Sequence, residues 1–277
     1  MLTGSMSKKI NRPIYRTDKQ SVKHFGKIIT YPCGICDVMA ASHPIFGGAG
    51  WETSEDFSHP KQSPPKEKNE KKTSDPKLDN MERSMRRARS ALRRIALSND
   101  FRWFVTLTLN PALVDSHDGA AVVKKLNAWC SNMVQRKGLK YILVPERHKK
   151  GGIHFHGFFN DCLEVVDSGH TDKQGHKIYN LPQWSLGFTT AIELYDDYQK
   201  AVGYVCKYIG KEGEKPAGRW YYSGGDLVDP EVEYIEISPA EIRNLFPEKS
   251  FVFYPPGKQV AIANGVVLEQ VHNLGGD

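Results

Sequence analysis

The 277-residue sequence has no apolar run approaching the ~20 residues that a membrane-spanning helix requires, which excludes that class. It has no Gly-x-x-x-x-Gly-Lys-Ser/Thr loop, which removes the common phosphate cradle of nucleotide-driven motors. Lys8, Lys9 and Arg12 stand near the start, but no apolar segment follows them, so a secretory signal is not expected. No internal repeat is visible. Cysteine is scarce: five residues, odd in number and scattered, which fits a reduced cytosol better than a disulfide framework. Cys33 and Cys36 have the spacing of a zinc knuckle, with His24 and His43 nearby. A structural zinc site needs four ligands and no second cysteine pair exists, so the expectation is a pair of reduced thiols. Acidic residues are outnumbered, and the formal net charge of +6 favours a polyanionic partner.

What is present is unevenly distributed. Residues 1–57 mix short apolar pieces with Gly and Pro and read as a weakly structured arm. Residues 58–80 hold Pro60, Pro64, Pro65 and Pro76 among charges and read as a disordered linker, too poor in apolar groups to offset the entropy of ordering. Residues 81–225 read as the main domain and 226–277 as a C-terminal extension with two strand-like runs. Asn80 is placed to cap a helix from Met81 to Leu97, where Met85, Ala88, Leu92, Ile95 and Ala96 form one apolar face. Arg83, Arg86, Arg87, Arg89, Arg93 and Arg94 line much of the remainder, and that density predicts a helix that contacts phosphates.

Phe101 to Leu109 is rich in aromatic and β-branched residues and reads as the first core strand. An amphipathic helix from Asp118 to Lys137 follows, stopped by Gly138. Leu139 to Pro145, Ile153 to Phe159 and Gly187 to Leu194 read as further strands. Asn160 to Pro182 reads as a loop or small hairpin, and a helix is expected from Asp196 to about Lys211.

Strand alternation turns the chemistry outward. His154 and His156 flank Phe155, so both imidazoles leave from one face of a strand. Two imidazoles so placed suit one divalent metal. Lys149-Lys150-Gly151-Gly152 is a turn signal that folds the preceding strand back alongside. Glu146 or His148 then reaches the same metal, provided that the turn holds an odd residue or a bulge. Thr106 and Thr108 share a polar face of the first strand. Tyr204 and Tyr208 share one helical face, and Lys207 and Lys211 repeat that spacing on the adjoining one. Ammonium groups and a metal beside a phenol favour phenolate and neutralise a phosphate under attack. Taken singly, these features have blander readings: a core strand that contains histidines, and a helix packed by amphipathic tyrosines.

Their order is more specific. Phe104-Val105-Thr106-Leu107-Thr108, His154-Phe155-His156 and Tyr204-Val205-Cys206-Lys207-Tyr208-Ile209-Gly210-Lys211 resemble the three motifs of the HUH-endonuclease superfamily of rolling-circle replication initiators. The paired tyrosines resemble its two-tyrosine subgroup, which includes the initiator A proteins of small isometric phages. The resemblance covers about Phe101 to Gly225. It implies an α+β fold, with a central antiparallel sheet of roughly four to five strands, packed helices and a relation to the RNA-recognition fold, preceded by a flexible N-terminal arm. It implies Mg²⁺ or Mn²⁺ on His154, His156 and Glu146, with His148 as the reserve ligand, and Tyr204 and Tyr208 as nucleophiles supported by Lys207 and Lys211. The implied reaction nicks single-stranded origin DNA, leaves a 5′-phosphotyrosine and a free 3′-hydroxyl, and later rejoins the ends. The implied partners are origin DNA, with a hairpin or flanking duplex, and a host helicase and polymerase in the cytoplasm of a bacterial cell, with no membrane. Two alternatives carry other expectations. A relaxase or single-strand transposase is a related enzyme, but relaxases usually place the tyrosine before the histidines. A non-catalytic RNA-recognition-like module would be indifferent to His154 and His156.

Overall fold

A computed structural model describes residues 25–42, 76–149, 151–194, 198–211, 213–254 and 259–271. In chain order the elements are β1 (Phe25–Thr30), β2 (Ile35–Ala41), α1 (Pro76–Ser98), β3 (Trp103–Leu109), α2 (Gly119–Lys137), β4 (Tyr141–Arg147), β5 (Ile153–Phe159), β6 (Val166–Thr171), β7 (Lys177–Asn180), β8 (Gly187–Glu193), α3 (Tyr198–Tyr208), β9 (Tyr222–Gly224), β10 (Glu231–Ile235), α4 (Pro239–Leu245), β11 (Ser250–Phe253) and β12 (Val260–Val267). The class is α+β with antiparallel sheets, as expected. The chain divides into two compact units: Pro60–Pro230, and Met1–His59 together with Glu231–Asp277.

The Pro60–Pro230 unit is built on a seven-stranded sheet in the order β6-β7-β8-β3-β5-β4-β9. β3, β4, β5 and β8 are the strands legible from apolar alternation. β6 and β7 extend the sheet beyond that count; β6 is almost wholly exposed, so no apolar pattern announces it. One face buries Trp103, Val105, Leu107, Leu143, Phe155 and Phe159 against Val122, Leu126 and Trp129 of α2. Each such fully buried side chain contributes about 1.5–3 kcal/mol. The same period of two turns Phe104, Thr106 and Thr108 of β3, and His154 and His156 of β5, to the opposite face. Asp118 caps α2 by accepting from the Ala120 and Ala121 N–H groups, and Gly138 ends it in a left-handed conformation (φ 70°).

α3 packs over β4 and β5, with α1 against it. The Arg89 guanidinium donates to the Ile209 carbonyl (2.6 Å), and the Tyr198 hydroxyl to the Ala96 carbonyl (2.7 Å). Two expected boundaries shift. α1 starts at Pro76, so Asn80 lies inside the helix rather than capping it; proline's fixed φ suits the first helical position. α3 ends at Tyr208, and Lys211 sits in the turn beyond. Gly210 stops the helix at φ 76°, where a Cβ would press on the Met85 sulfur. The expected start of that helix at Asp196 and Asp197 falls outside the described residues.

The second unit corrects the reading of the termini as an arm and an extension. β1 and β2 join β10, β11 and β12 in a five-stranded antiparallel sheet, in the order β10-β1-β2-β12-β11. Ile28, Val38, Ala40, Ala261 and Ala263 form its core with Ile242 and Phe246 from α4 and the residue after it. Ser238 and Glu241 form a capping box at the start of α4. Cys33 is exposed in the β1–β2 turn, while Cys36 is buried in β2 and donates to the Val266 carbonyl (3.4 Å). Burial pushes the Cys36 thiol up to about 11. These two cysteines therefore stand in different surroundings; His24 and His43, the remainder of the arm and linker positions 58–75 lie outside the described residues.

Candidate active site

Strand register assembles the site. Glu146 stands directly opposite His154, and Val144 opposite His156, across β4 and β5. Thr108 and Thr106 stand opposite the same two histidines across β3 and β5. Directly opposed residues of an antiparallel pair share a face, so Glu146, His154, His156, Thr106 and Thr108 converge. The connection between β4 and β5, His148 to Gly152, has an odd number of residues, which gives Glu146 this parity. It is closed by the His148 N–H donating to the Gly152 carbonyl (2.8 Å). Arg147 fastens it further, donating to the Gly151 carbonyl (2.9 Å) and to Glu214 (3.0 Å).

Both imidazoles are oriented from behind. Thr106 Oγ1 lies 3.1 Å from His156 Nδ1, and Thr108 Oγ1 lies 3.3 Å from His154 Nδ1. The threonine hydroxyls thus occupy one ring nitrogen of each histidine and leave Nε2 to face the site. Sequence reading notes the polar face of these threonines but not this role. Burial holds both imidazoles below their ordinary pKa; the neighbouring His148 adds to the effect at His154, and Glu146 opposes it at both. Neutral imidazole is the ligating form. His156 Nε2 lies 2.8 Å from Glu146 Oε2, and the Lys211 ammonium bonds the other carboxylate oxygen. His148, the reserve ligand, stacks on His154 (centroids 5.0 Å apart, 22°).

The tyrosines close over the histidines. The Tyr208 ring stacks on His156 at 4.2 Å and 10°. Its hydroxyl donates to the Tyr204 oxygen at 2.7 Å. Tyr204 leans edge-on against Phe104 (5.9 Å) and is 50% exposed. Burial pushes the Tyr208 phenol well above its usual value, and the bond to Tyr204 and the charge of Glu146 act in the same direction. The Lys211 ammonium lies 5.5 Å from the Tyr208 ring centroid. The expected pairing of Lys207 with Lys211 on one helical face is not found, because α3 ends before Lys211; Lys207 stays exposed on the helix.

The donors fit a divalent cation in kind: two imidazole Nε2 atoms with oriented rings and one carboxylate. Among the described residues, no three His, Cys, Asp or Glu side chains stand at the spacing of a formed metal centre. Both Glu146 oxygens instead serve His156 and Lys211.

Residues 102–213 match the model of a family described as replication-associated protein of the ORF2 type. The matched segment runs from the start of β3 to just past Lys211 and contains every residue of this constellation. It supports a replication-associated role, and with it a DNA partner. No curated protein and no solved structure matches the chain. Among the described residues, no helix is long and apolar enough to cross a membrane.

Proposed function

We propose that the Pro60–Pro230 unit is a two-tyrosine HUH-type endonuclease that nicks and rejoins single-stranded DNA at a replication origin. The observation that carries this reading is the Tyr204–Tyr208 hydroxyl pair, 2.7 Å apart, with Tyr208 stacked on a histidine of the His154/His156 face. His154, His156 and Glu146 would hold Mg²⁺ or Mn²⁺, which when bound supplies Lewis acidity to a scissile phosphate. Thr106 and Thr108 keep the two rings in one orientation throughout. The Tyr204 oxygen attacks phosphorus. The new bond is the phosphotyrosine ester; the bond to the 3′-oxygen breaks, and that oxygen takes a proton from water as the phenol gives one up. Tyr208 donates to the Tyr204 oxygen as negative charge develops there. Lys211, and Lys207 from the exposed side of α3, supply positive charge for the phosphate. One phosphoester bond replaces another, so the step reverses without nucleotide hydrolysis. A second tyrosine permits a second cleavage before the first end is released. The freed 3′-hydroxyl primes a host polymerase.

The test is incubation with labelled single-stranded oligonucleotides and Mn²⁺. A denaturant-resistant protein–DNA species, mapped to a tyrosine, is expected. DNA affinity with no covalent species would reduce this unit to a binding module.

The basic helix divides in two. Arg83, Arg86 and Arg87 are exposed, whereas Arg89 is committed to the Ile209 carbonyl. The proposed phosphate contacts are therefore the first three. Replacing them with Gln should weaken DNA binding across all sequences and lower the slope of log affinity against log salt by about two to three. An unchanged slope would make this a purely structural helix.

A further inference from the structure

The face that carries the histidines continues past β3 onto β8. Phe188 stands directly opposite Thr108, and Thr190 opposite Thr106. A single row thus crosses four strands: Phe188, Thr108, His154, Glu146. Gly187 fixes the end of that row, because a Cβ there would lie 2.1 Å from the Thr108 carbonyl oxygen, so only glycine lets β8 close on β3 at this point. On the opposite face of β8, Ala191 is buried and the Thr189 hydroxyl accepts from the Leu181 N–H (2.8 Å). The usual arrangement is therefore inverted: a threonine is turned inward and satisfied, while a phenylalanine is turned out and is 67% exposed. A one-residue slip would bury Phe188, and the ladder to β3 holds it outside. Lone exposed apolar residues are common. This one lies in line with a candidate catalytic histidine, on a face whose other aromatic in β3, Phe104, is already covered by Tyr204.

We propose that Phe188 is a stacking platform for a nucleobase that flanks the scissile phosphate, with the Thr190 and Thr108 hydroxyls beside it. Two strand spacings separate it from His154, about 10 Å, within reach of a base next to the phosphate under attack. A π-face accepts any base, so the contact positions the strand without selecting its sequence. This inference rests on the single-stranded DNA reading above.

The experiment uses the full chain and random-sequence single-stranded oligonucleotides, from which the best-cut member is taken. A single abasic site is walked along that oligonucleotide, and affinity is measured with the non-cleaving Tyr204→Phe/Tyr208→Phe protein. One abasic position is expected to weaken binding about tenfold. Phe188→Ala should weaken the intact oligonucleotide by a similar factor and abolish sensitivity at that position alone, and Phe188→Trp should restore both. In the cleaving protein, Phe188→Ala should raise KM more than it lowers kcat. An unchanged affinity and abasic profile in Phe188→Ala, with wild-type cleavage intact, would overturn this proposal and leave the endonuclease reading standing. If the wild-type chain neither binds nor cuts the oligonucleotides, the endonuclease reading fails and takes this inference with it.

Discussion

Tyr204→Phe is expected to lose nearly all first-strand cleavage, at least about a thousandfold, because removing a covalent nucleophile leaves only binding and electrostatic contributions. Tyr208→Phe should still nick once, roughly tenfold more slowly, and fail to complete the second transfer. The structure distinguishes two residues that local sequence does not, since each is followed at the same interval by a lysine. Tyr204 lies inside α3, half exposed, and its oxygen accepts a hydrogen bond. Tyr208 is the last residue of that helix; its ring is pinned on His156 and its hydroxyl is the donor. Burial, the bond to Tyr204 and the charge of Glu146 all oppose ionisation of Tyr208. An attacking oxygen needs access and a donor for developing charge, and Tyr204 has both. The slower first cleavage in Tyr208→Phe follows from the loss of that donor. The check is the rate of covalent adduct formation in each single variant, with the adduct mapped by mass spectrometry. Adduct formation at the normal rate in Tyr204→Phe but not in Tyr208→Phe would reverse the order. Loss only in the double variant would mean that the two are interchangeable.

The parts legible in the sequence are those set by short-range periodicity. Alternation alone places Phe155 inward and His154 and His156 outward, and the same rule separates Thr106 and Thr108 from Val105 and Leu107. The parity of the β4–β5 turn follows from counting residues. Three features need information that no local window contains. β1 and β2 pair with β10 and β12, more than 190 residues away along the chain, so Ile28 and Val38 read as stray apolar pieces until their partners are known. The position of Lys211 depends on the left-handed Gly210, which ends α3 a turn sooner than the Tyr/Lys spacing implies. Phe188 reads as core from composition; only its register against Thr108 shows that it faces outward. Arg89 looks like its neighbours in the sequence but is held by a carbonyl at the end of another helix.

The His154→Ala/His156→Ala variant should lose cleavage by a similar factor of about a thousand or more while remaining folded. Stability and activity separate here because of where the side chains lie. Neither histidine belongs to the buried cluster formed by Leu107, Phe155 and Phe159. Each makes one bond to a threonine hydroxyl, and His156 also meets Glu146. Hydrogen bonds of this kind contribute about 0.5–1.5 kcal/mol each, so the double variant loses a few kcal/mol at most, against a typical total of about 5–15. Its thermal transition should remain cooperative and shift by a few degrees. Removing divalent cations from the wild type with a chelator should reproduce the loss of cleavage, and added Mn²⁺ should restore it in the wild type alone. Glu146→Gln tests the third ligand separately, because it keeps the shape of the side chain while removing the charge that meets His156 and Lys211. His148→Ala removes only the ring stacked on His154 and should cost activity little. The decisive measurement is cleavage rate against Mn²⁺ concentration for all four proteins, with thermal unfolding of each as the control for folding. Undiminished cleavage in the double variant would sink the metal assignment. A silent Glu146→Gln with a dead His148→Ala would move the third ligand to His148.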